Sequence, residues 1–346
     1  MITMSQQVLN YTALRKAKRL PLVEMVPIAA PFTIYIEPTN ICNFRCSYCP
    51  ESFPDFAERS GGLHSLGMHD YLRIAEQIEK LGVLKVINFY MMGEPFSNPL
   101  LCDFIRIAKD RRLADTVIVT SNASLLKEKI FESILNSGLD YLRISVYGGN
   151  QHKHAERTQS KVPLAKIVKN ISDFKTYRDS AGAGSPFIYV KMIDSTDQQE
   201  NQQFLDLFTN AADEIFIEPV MNWNDMEDRN LAQKSSEELL ASDYFSHRKT
   251  VCPSPFYTLV IHSDLQVSVC CVDWAKQTVI GNLHMEQLVD IWNGKKLYEF
   301  RMAHLAGNRK NIEACRNCTF LFTMPDNLDS LSPEEYQNRV QLLNNA

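Results

Sequence analysis

The chain lacks the features that would place it in a membrane, on a secretory route or on nucleic acid. Its 346 residues contain no run of about 18 or more apolar residues, so the sequence predicts no membrane span. The N-terminus has no basic start followed by an apolar core, and no secretory signal is predicted. A net charge of -5 without any basic stretch argues against nucleic acid as a partner. We therefore predict a cytoplasmic protein of ordinary globular composition.

Cysteine spacings suited to a disulfide framework are also missing. The nine cysteines are an odd number and cluster at metal-type spacings, which favours a reducing compartment. Cys42, Cys46 and Cys49 follow an apolar, strand-like stretch from Phe32 to Ile36. Thiolates are the usual ligands of iron-sulfur clusters, and a four-iron cube normally takes four of them. Because no fourth cysteine is nearby, one iron would stay open and could chelate a small molecule.

The CxxxCxxC run resembles the motif of the radical S-adenosylmethionine (radical SAM) superfamily. The resemblance implies a [4Fe-4S] cluster on Cys42, Cys46 and Cys49 whose open iron binds SAM. It also implies an external one-electron reductant, such as flavodoxin or ferredoxin, and release of a 5'-deoxyadenosyl radical. A zinc site or buried free thiols are the alternative, although zinc prefers four ligands in CxxC-type pairs. Tyr48 inside the loop favours the radical enzyme and is a predicted SAM contact.

Helix-like and strand-like segments alternate after the cysteine loop. The helical spacing of Tyr71, Ile74, Ile78 and Leu81 precedes a strand-like Leu84 to Phe89. Later strand-like segments are Thr116 to Thr120, Tyr141 to Val146, Phe187 to Ile193 and Glu214 to Val220. Helix-like segments between them are Phe104 to Arg111, Lys127 to Asn136, Leu164 to Tyr177 and Gln202 to Asn210. This alternation predicts an α/β fold with a parallel sheet. The resemblance makes it a partial (β/α)6 TIM-type barrel with a small C-terminal iron-sulfur domain.

Strand ends carry the residues that the resemblance assigns to SAM. Gly93-Glu94-Pro95 follows the second strand and resembles the family's glycine-glutamate-proline motif, which contacts the SAM amino group. Met92 stands where the family commonly has a further glycine. Ser121 and Asn122 end the third strand and Ser145 lies in the fourth; by resemblance these three hold the SAM carboxylate and ribose hydroxyls. Each could equally be a strand-end cap.

The segment from His152 to Arg157 follows the fourth strand and is predicted as a polar loop. It resembles the family's loop whose arginine faces SAM or substrate. We retain Arg157 as a cofactor-binding and catalytic candidate, because a guanidinium can hold a carboxylate through two hydrogen bonds. The histidines of this segment are interpreted as solvated.

The C-terminal third has a second cysteine set. Cys252 and Cys270 flank a hairpin-like Phe256 to Val269, and Cys315 and Cys318 form a CxxC pair. Four such thiolates can close a second [4Fe-4S] cluster. The set resembles the single-cluster twitch form of the SPASM appendage found on some radical SAM enzymes, and too few cysteines remain for two auxiliary clusters. A four-cysteine zinc ribbon is the alternative.

Cys271 is the remaining C-terminal cysteine. Adjacent side chains on a strand point to opposite faces, so Cys270 and Cys271 are not expected to bind the same cluster. The chain is thus predicted to comprise an N-terminal helical extension (1–30), a radical SAM partial barrel (31–235), a twitch/SPASM-like domain (245–320) and a C-terminal helix (321–346). A helix-like Val8 to Lys18 lies in the first segment. Ser332 is the predicted cap of the last helix.

The twitch-type resemblance implies removal of a hydrogen atom from a small-molecule substrate. If that carbon bears a hydroxyl, loss of a proton and an electron gives a ketone, and the second cluster is a plausible electron acceptor. We therefore predict oxidation of a secondary alcohol on a sugar or cyclitol. Arg157, Glu218 and Asp273 are candidates for the required base. Arginine is the least natural of the three, because it scarcely ever gives up its proton.

Three other outcomes of the radical reaction are compatible with the sequence. Epimerisation of a sugar or nucleoside-type natural-product intermediate needs a hydrogen-atom donor, and the Cys271 thiol could serve. Decarboxylation of a uronic acid would use Arg157 to hold the carboxylate. Peptide modification is a third class, against which the residues before the first strand are too few for a separate leader-binding domain. A non-catalytic metal-stabilised module would make Glu94 and the strand-end residues coincidences.

Overall fold

The computed structural model describes residues 20–218 and 249–345. The strands are β1 (Thr33–Ile36), β2 (Leu84–Phe89), β3 (Ala114–Ser121), β4 (Tyr141–Val146), β5 (Phe187–Ile193), β6 (Glu214–Glu218), β7 (Thr258–Ile261), β8 (Gln266–Ser268) and β9 (Val279–Asn282). The helices are α1 (Leu22–Met25), α2 (Phe56–Arg59), α3 (Met68–Leu81), α4 (Leu101–Asp110), α5 (Phe131–Asn136), α6 (Gln151–Thr158), α7 (Leu164–Ser180), α8 (Gln198–Phe208), α9 (Leu288–Trp292), α10 (Lys295–Leu305) and α11 (Pro333–Asn344). None of these helices is long and apolar enough to cross a bilayer.

The nine strands form one sheet in the order β6-β5-β4-β3-β2-β1-β7-β8-β9. The predicted parallel sheet of six strands is confirmed, since β1 to β6 pair in parallel with their sequence neighbours. Strand β7 joins the other edge of β1, also in parallel, with Thr33 opposite Thr258. Strands β8 and β9 follow in antiparallel pairing. The predicted C-terminal hairpin therefore extends the barrel sheet.

Some predictions fall outside the described residues. They are the helix over Val8 to Lys18, the last two residues of the strand ending at Val220, and the domain limits at 235 and 245. Within the described residues, β2, β4 and β5 have the predicted bounds. The predicted cap of the last helix is confirmed, because the Glu335 N–H donates to the Ser332 hydroxyl at 3.1 Å.

The polar loop predicted from His152 to Arg157 is wrong, because this segment is helix α6. Asn150 caps it, with its side-chain oxygen accepting from the Lys153 N–H at 3.0 Å. Its only buried residues are His154 and Thr158, one turn apart and both polar. A helix that buries no apolar stripe leaves no hydrophobic period in the sequence.

Apolar side chains of the crossover helices cover the sheet. Tyr71, Ile74 and Ile78 of α3 are fully buried, as their helical spacing predicts. Tyr71 also donates a hydrogen bond from its hydroxyl to the Phe104 carbonyl of α4 at 2.7 Å. Burial of each such side chain stabilises the fold by about 1.5–3 kcal/mol. The apolar side chains therefore fill the space between the helices and the sheet, and polar side chains lie at the strand ends.

One buried carboxylate joins β1, β7 and the loop after β2. Glu37 follows β1 and accepts hydrogen bonds from the Ser263 N–H at 3.1 Å, the Ser263 hydroxyl at 2.9 Å and the Met92 N–H at 3.4 Å. The His262 Nδ1 lies 3.8 Å from the same carboxylate. Burial by itself raises the pKa of Glu37, but His262 and Ser263 outweigh it and hold the pKa below its ordinary value. The ionised carboxylate therefore fixes the C-terminal strands to the barrel.

We expect Glu37→Gln to lower the free energy of unfolding by about 2 kcal/mol near neutral pH, because an amide donor would then face the Ser263 donors. The folded pKa of Glu37 lies below the usual 4.5, so this contribution is present above about pH 4.5 and is lost as pH falls through the folded pKa. Urea denaturation at several pH values measures it. The exposed Glu76→Gln is the matched control and should change stability by at most about 0.5 kcal/mol. Equal stability of both variants would contradict the role of Glu37.

Candidate active site

The ends of the barrel strands open on one cavity of about 880 Å³. The cysteine loop after β1 contributes Cys42, Cys46 and Cys49 to its wall. The C-terminal segment contributes Cys271 and residues 323–326. Polar side chains from the strands also line it, namely Asn88, Tyr90, Arg143, Lys191 and Glu218. The cavity is therefore bounded by both parts of the chain that carry cysteine sets.

Helix α6 anchors the cysteine loop through its last backbone carbonyls. The Arg45 N–H donates to the Thr158 carbonyl at 3.0 Å, and the Ser47 N–H donates to the Arg157 carbonyl at 2.7 Å. Carbonyls in the last turn of a helix have no partner within the helix and are free to accept such bonds. The loop thus gains a rigid support that the sequence did not indicate.

The three thiols of this loop point to one cofactor by their chemistry. Cys46 is buried and Cys42 and Cys49 are half-buried. Burial raises the pKa of Cys42 to about 12, so the protonated thiol is favoured until a metal displaces the proton. The Phe44 N–H donates to the Cys42 sulfur at 3.5 Å. Three soft donors with a backbone hydrogen bond fit an iron-sulfur cluster with one open iron.

Gly93 occupies a position where no other residue fits. Its φ is +76°, and a Cβ atom there would lie 2.3 Å from the Thr39 carbonyl oxygen and 2.9 Å from the Ile41 nitrogen. The next residue, Glu94, donates its N–H to the Ile41 carbonyl at 3.0 Å. The loop after β2 therefore lies directly against the loop that leads into the cysteines.

Glu94 ties this loop to the end of β3. Its carboxylate accepts from the Ser121 hydroxyl at 2.7 Å, the Asn122 N–H at 2.8 Å and the Phe96 N–H at 3.1 Å. Burial raises the pKa of Glu94, and these hydrogen bonds oppose the rise. The Asn122 amide in turn donates to the Asn43 side chain in the cysteine loop at 3.0 Å. The structure thus brings together three residues that the sequence assigned separately to SAM.

Tyr48 and Tyr147 form an aromatic wall of the cavity. Their rings stack with centroids 5.8 Å apart and planes inclined by 17°. Ser145 lines the cavity beside them. Tyr147 was not predicted as a site residue, although its position directly after β4 is the strand-end signal used for its neighbours.

Arg157 does not line the cavity among the described residues. Its guanidinium makes a bidentate ion pair with Glu200 of α8, at 2.6 Å and 3.0 Å. Glu200 is buried and also accepts from the Gly149 N–H at 3.1 Å. The arginine side chain therefore holds α6 against α8, and its backbone carbonyl holds the cysteine loop.

The two other base candidates lie in different places. Glu218 ends β6 in the cavity wall, with Lys191 Nζ at 2.5 Å and Arg143 Nη2 at 3.8 Å from its carboxylate. Asp273 does not line this cavity but lines a second one, beside Cys252, Cys270, Cys315 and Cys318. Its carboxylate accepts from the Thr278 N–H at 2.7 Å and the Thr278 hydroxyl at 2.6 Å, which fixes a turn.

Residues inside β4 and β5 that were not predicted from the sequence also line the cavity. Arg143 of β4 donates to the Tyr90 hydroxyl at 2.8 Å, and Lys191 of β5 pairs with Glu218. A cation inside an otherwise apolar strand was the signal that could have revealed Arg143 and Lys191. The arrangement offers hydrogen-bond donors and acceptors of both charges to a polar ligand.

Four C-terminal cysteines line a second cavity, smaller than the first: Cys252, Cys270, Cys315 and Cys318. Cys271 lines the large cavity instead. Its thiol is nevertheless hydrogen-bonded to the Cys270 thiol, and both residues lie beyond the end of β8, so the predicted separation of the two side chains onto opposite faces of a strand is wrong. Burial raises the pKa of Cys318 to about 12. The Phe320 N–H donates to the Cys318 sulfur at 3.4 Å. Four soft donors around one cavity fit a fully ligated iron-sulfur cluster.

Two further residues line the small cavity without having been predicted. Arg309 donates to the carbonyls of Cys315 and, at 3.3 Å, of Cys318, and so holds the CxxC turn. His304 is fully buried, and burial together with the charge of Arg309 lowers its pKa to about 3. Neither residue belongs to a local motif, so neither could be predicted from the sequence.

Known families match both parts of the chain. A model of the radical SAM superfamily matches residues 36–199, and the SPASM model, an iron-sulfur cluster-binding domain, matches residues 252–319. These ranges contain the CxxxCxxC loop and the four C-terminal cysteines respectively.

Two curated proteins illustrate the relationship. The S-adenosyl-L-methionine-dependent 2-deoxy-scyllo-inosamine dehydrogenase of Niallia circulans is 22% identical over 285 residues, or 82% of this chain and 91% of that protein. The tungsten-containing aldehyde ferredoxin oxidoreductase cofactor-modifying protein of Pyrococcus furiosus is 27% identical over 165 residues. That match covers 46% of this chain and only 43% of the relative's length.

Solved structures share the fold at low identity. BtrN in complex with AdoMet and 2-DOIA gives a TM-score of 0.53 at 18% identity, covering 83% of this chain and 92% of that one. Streptococcus suis SuiB bound to its precursor peptide SuiA gives a TM-score of 0.60 at 16% identity, covering 92% and 77%. Together with the family models, the cysteine sets and the parallel sheet, these findings show that the chain is a radical SAM enzyme with a C-terminal SPASM domain.

Proposed function

We propose that this radical SAM enzyme oxidises a secondary alcohol on a sugar or cyclitol to a ketone. One observation carries the proposal: a single cavity is lined by Cys42, Cys46 and Cys49 on the barrel side and by Cys271, next to a cysteine of the second set, on the C-terminal side. A substrate in this cavity would thus lie between the two cofactor sites. The dehydrogenase named for the Niallia circulans relative supports the same reaction class.

The cavity wall supports the assignment of SAM to the barrel end. Among the predicted SAM contacts, those lining the cavity are Tyr48, Gly93, Glu94, Ser121, Asn122 and Ser145. Pro95 and Arg157 do not line it among the described residues. We assign SAM to the six lining residues, with the stacked Tyr48 and Tyr147 rings as an apolar wall. Glu94 supports the site through its hydrogen bonds to the end of β3, and Pro95 belongs to the turn that follows Glu94.

The second cysteine set supports a [4Fe-4S] cluster rather than zinc. The four thiols come from three separate stretches of the chain around one cavity, and the SPASM model, an iron-sulfur cluster-binding domain, matches the same segment. A [4Fe-4S] cube takes one thiolate at each of its four corners, so the set supplies a full complement of ligands.

The reaction balances with these parts. A cluster held by Cys42, Cys46 and Cys49 would, with SAM, supply a 5'-deoxyadenosyl radical as the acceptor of the hydrogen atom on the carbinol carbon, and a cluster held by Cys252, Cys270, Cys315 and Cys318 would supply a one-electron acceptor. The hydroxyl loses its proton to a base, so the alcohol gives up one hydrogen atom, one proton and one electron in becoming a ketone. The electron for each SAM cleavage comes from an external reductant such as flavodoxin or ferredoxin.

We assign the base to Glu218. It is the one candidate of Arg157, Glu218 and Asp273 that lines the cavity among the described residues. Lys191 at 2.5 Å and Arg143 beside it hold the carboxylate in place. The same cluster can donate to and accept from substrate hydroxyls, which suits a polyhydroxylated ring.

The test is anaerobic incubation of the reconstituted enzyme with SAM, a reductant and 2-deoxy-scyllo-inosamine, together with a panel of cyclitols and sugars. We expect one equivalent of 5'-deoxyadenosine for each ketone, which hydroxylamine traps and mass spectrometry detects. Glu218→Gln should lower the rate of ketone formation by about 100-fold or more, because general bases contribute about 10²–10⁴. Consumption of SAM and substrate without any carbonyl product would contradict the proposal.

Epimerisation is the second candidate, and a specific observation favours it. Cys271 lines the cavity, so its thiol can return a hydrogen atom to a substrate radical. The thiyl radical left on sulfur would then need one electron from the external reductant and one proton. The carboxylate grip required for decarboxylation has less support, because Arg157 pairs with Glu200.

Cys271→Ala distinguishes the two reactions. We expect the variant to form ketone at a rate within about tenfold of wild type, since a tenfold change corresponds to only about 1.4 kcal/mol of barrier. An epimerase would instead lose its product, and in D₂O the wild type would place solvent deuterium on the inverted carbon. Cys102→Ala, which changes a half-buried cysteine outside both cavities, is the matched control.

A further inference from the structure

A histidine in the wall of the four-cysteine cavity lacks the hydrogen bonds that buried histidines normally make. His304 lies near the end of α10 with 0% of its surface exposed. Within the part of the chain that the structure describes, neither ring nitrogen has a hydrogen-bond partner. The ring lies flat on Phe300, with centroids 4.9 Å apart and planes inclined by 27°. The stack fixes the plane of the imidazole while its nitrogens stay available.

The other buried histidines show that this state is exceptional. His262 Nε2 lies 2.8 Å from the Ser268 hydroxyl, and His154 Nε2 lies 3.2 Å from the Val162 carbonyl. Leaving a buried polar group without a partner is costly, and native structures rarely do so. His304 therefore requires a hydrogen-bond partner that the described residues do not supply. The cavity it shares with Cys252, Cys270, Cys315 and Cys318 is the place where that partner would bind.

We propose that His304 donates an N–H hydrogen bond to a sulfur of the auxiliary cluster. The inference rests on the assignment of a [4Fe-4S] cluster to this cavity. An imidazole carries at least one N–H in either protonation state, and the sulfurs of a cluster accept hydrogen bonds. His304 is thus a positioning residue that acts through the cluster and does not touch the substrate.

The proposed bond sets how readily the cluster accepts an electron. Reduction adds negative charge to the cluster, and a nearby N–H stabilises the reduced form more than the oxidised form, so the reduction potential rises. Arg309, held in the same wall by the carbonyls of Cys315 and Cys318, acts in the same direction through its charge. Asp273 also lines this cavity, and its negative charge opposes that of Arg309, so the His304 N–H is the contribution that the variants below isolate.

The test is the midpoint potential of the auxiliary cluster, followed by EPR in a redox titration of full-length protein. A Cys42/Cys46/Cys49→Ala background removes the signal of the first cluster. His304→Phe keeps the ring on Phe300 and removes both nitrogens; the equilibrium constant for reduction should fall about tenfold, or about 59 mV. His304→Gln, which restores an N–H donor, should lie closer to wild type. His154→Phe, at a buried histidine outside this cavity, should leave the midpoint potential of the auxiliary cluster unchanged.

An unchanged potential in His304→Phe with four irons retained would overturn the proposal. If that variant incorporates too little iron, a second measurement applies. The wild-type protein labelled with ¹⁵N-histidine should show a weak nitrogen coupling to the cluster, and His304→Gln should remove this coupling. No coupling, or the strong coupling of a directly bound nitrogen, would overturn it as well. Zinc in place of iron would overturn the cluster assignment together with this inference. A missing ketone product with the weak coupling intact would contradict only the proposed reaction.

Discussion

The close approach of two loops at Gly93 is the constraint on which the site depends. The loop after β2 passes so near the backbone of Thr39 and Ile41 that there is no room for a Cβ atom. This contact places Glu94 under the end of β3, where its carboxylate meets Ser121 and Asn122. The cysteine loop and the end of β3 that carries Ser121 and Asn122 are therefore held in one arrangement by contacts within the protein.

Charges around the cavity are largely paired within the protein. Arg157 and Glu200 neutralise each other behind the cysteine loop, and Glu37 is satisfied by Ser263 between the barrel and the C-terminal strands. Glu218 lies in the cavity wall with Lys191 Nζ at 2.5 Å from its carboxylate. Some of these charged pairs thus serve only to hold structural elements together, whereas the cluster of Glu218, Lys191 and Arg143 can also bind a substrate. This division suits radical chemistry, which requires a rigid pocket around a reactive intermediate.

Residues that belong to a short sequence motif could be predicted, whereas residues whose partners are distant in the sequence could not. The CxxxCxxC loop, Gly93 and the bounds of β2, β4 and β5 follow from short patterns that a single sequence displays. The pairing of Arg157 with Glu200 joins positions far apart in sequence, and α6 buries polar rather than apolar residues. The attachment of β7 to the edge of β1 is likewise a long-range choice between strands. His304 has no motif at all, and only its orphaned nitrogens reveal it.

The proposed reaction requires two clusters, one held by each cysteine set, on either side of the large cavity. The first measurement is therefore the iron and sulfide content per chain after anaerobic reconstitution, in the wild type and in a Cys42/Cys46/Cys49→Ala variant. We expect about eight irons in the wild type and about four in the variant, since each cube contains four. About four irons in the wild type, with zinc at the C-terminal cysteines, would contradict the proposed reaction by removing the electron acceptor.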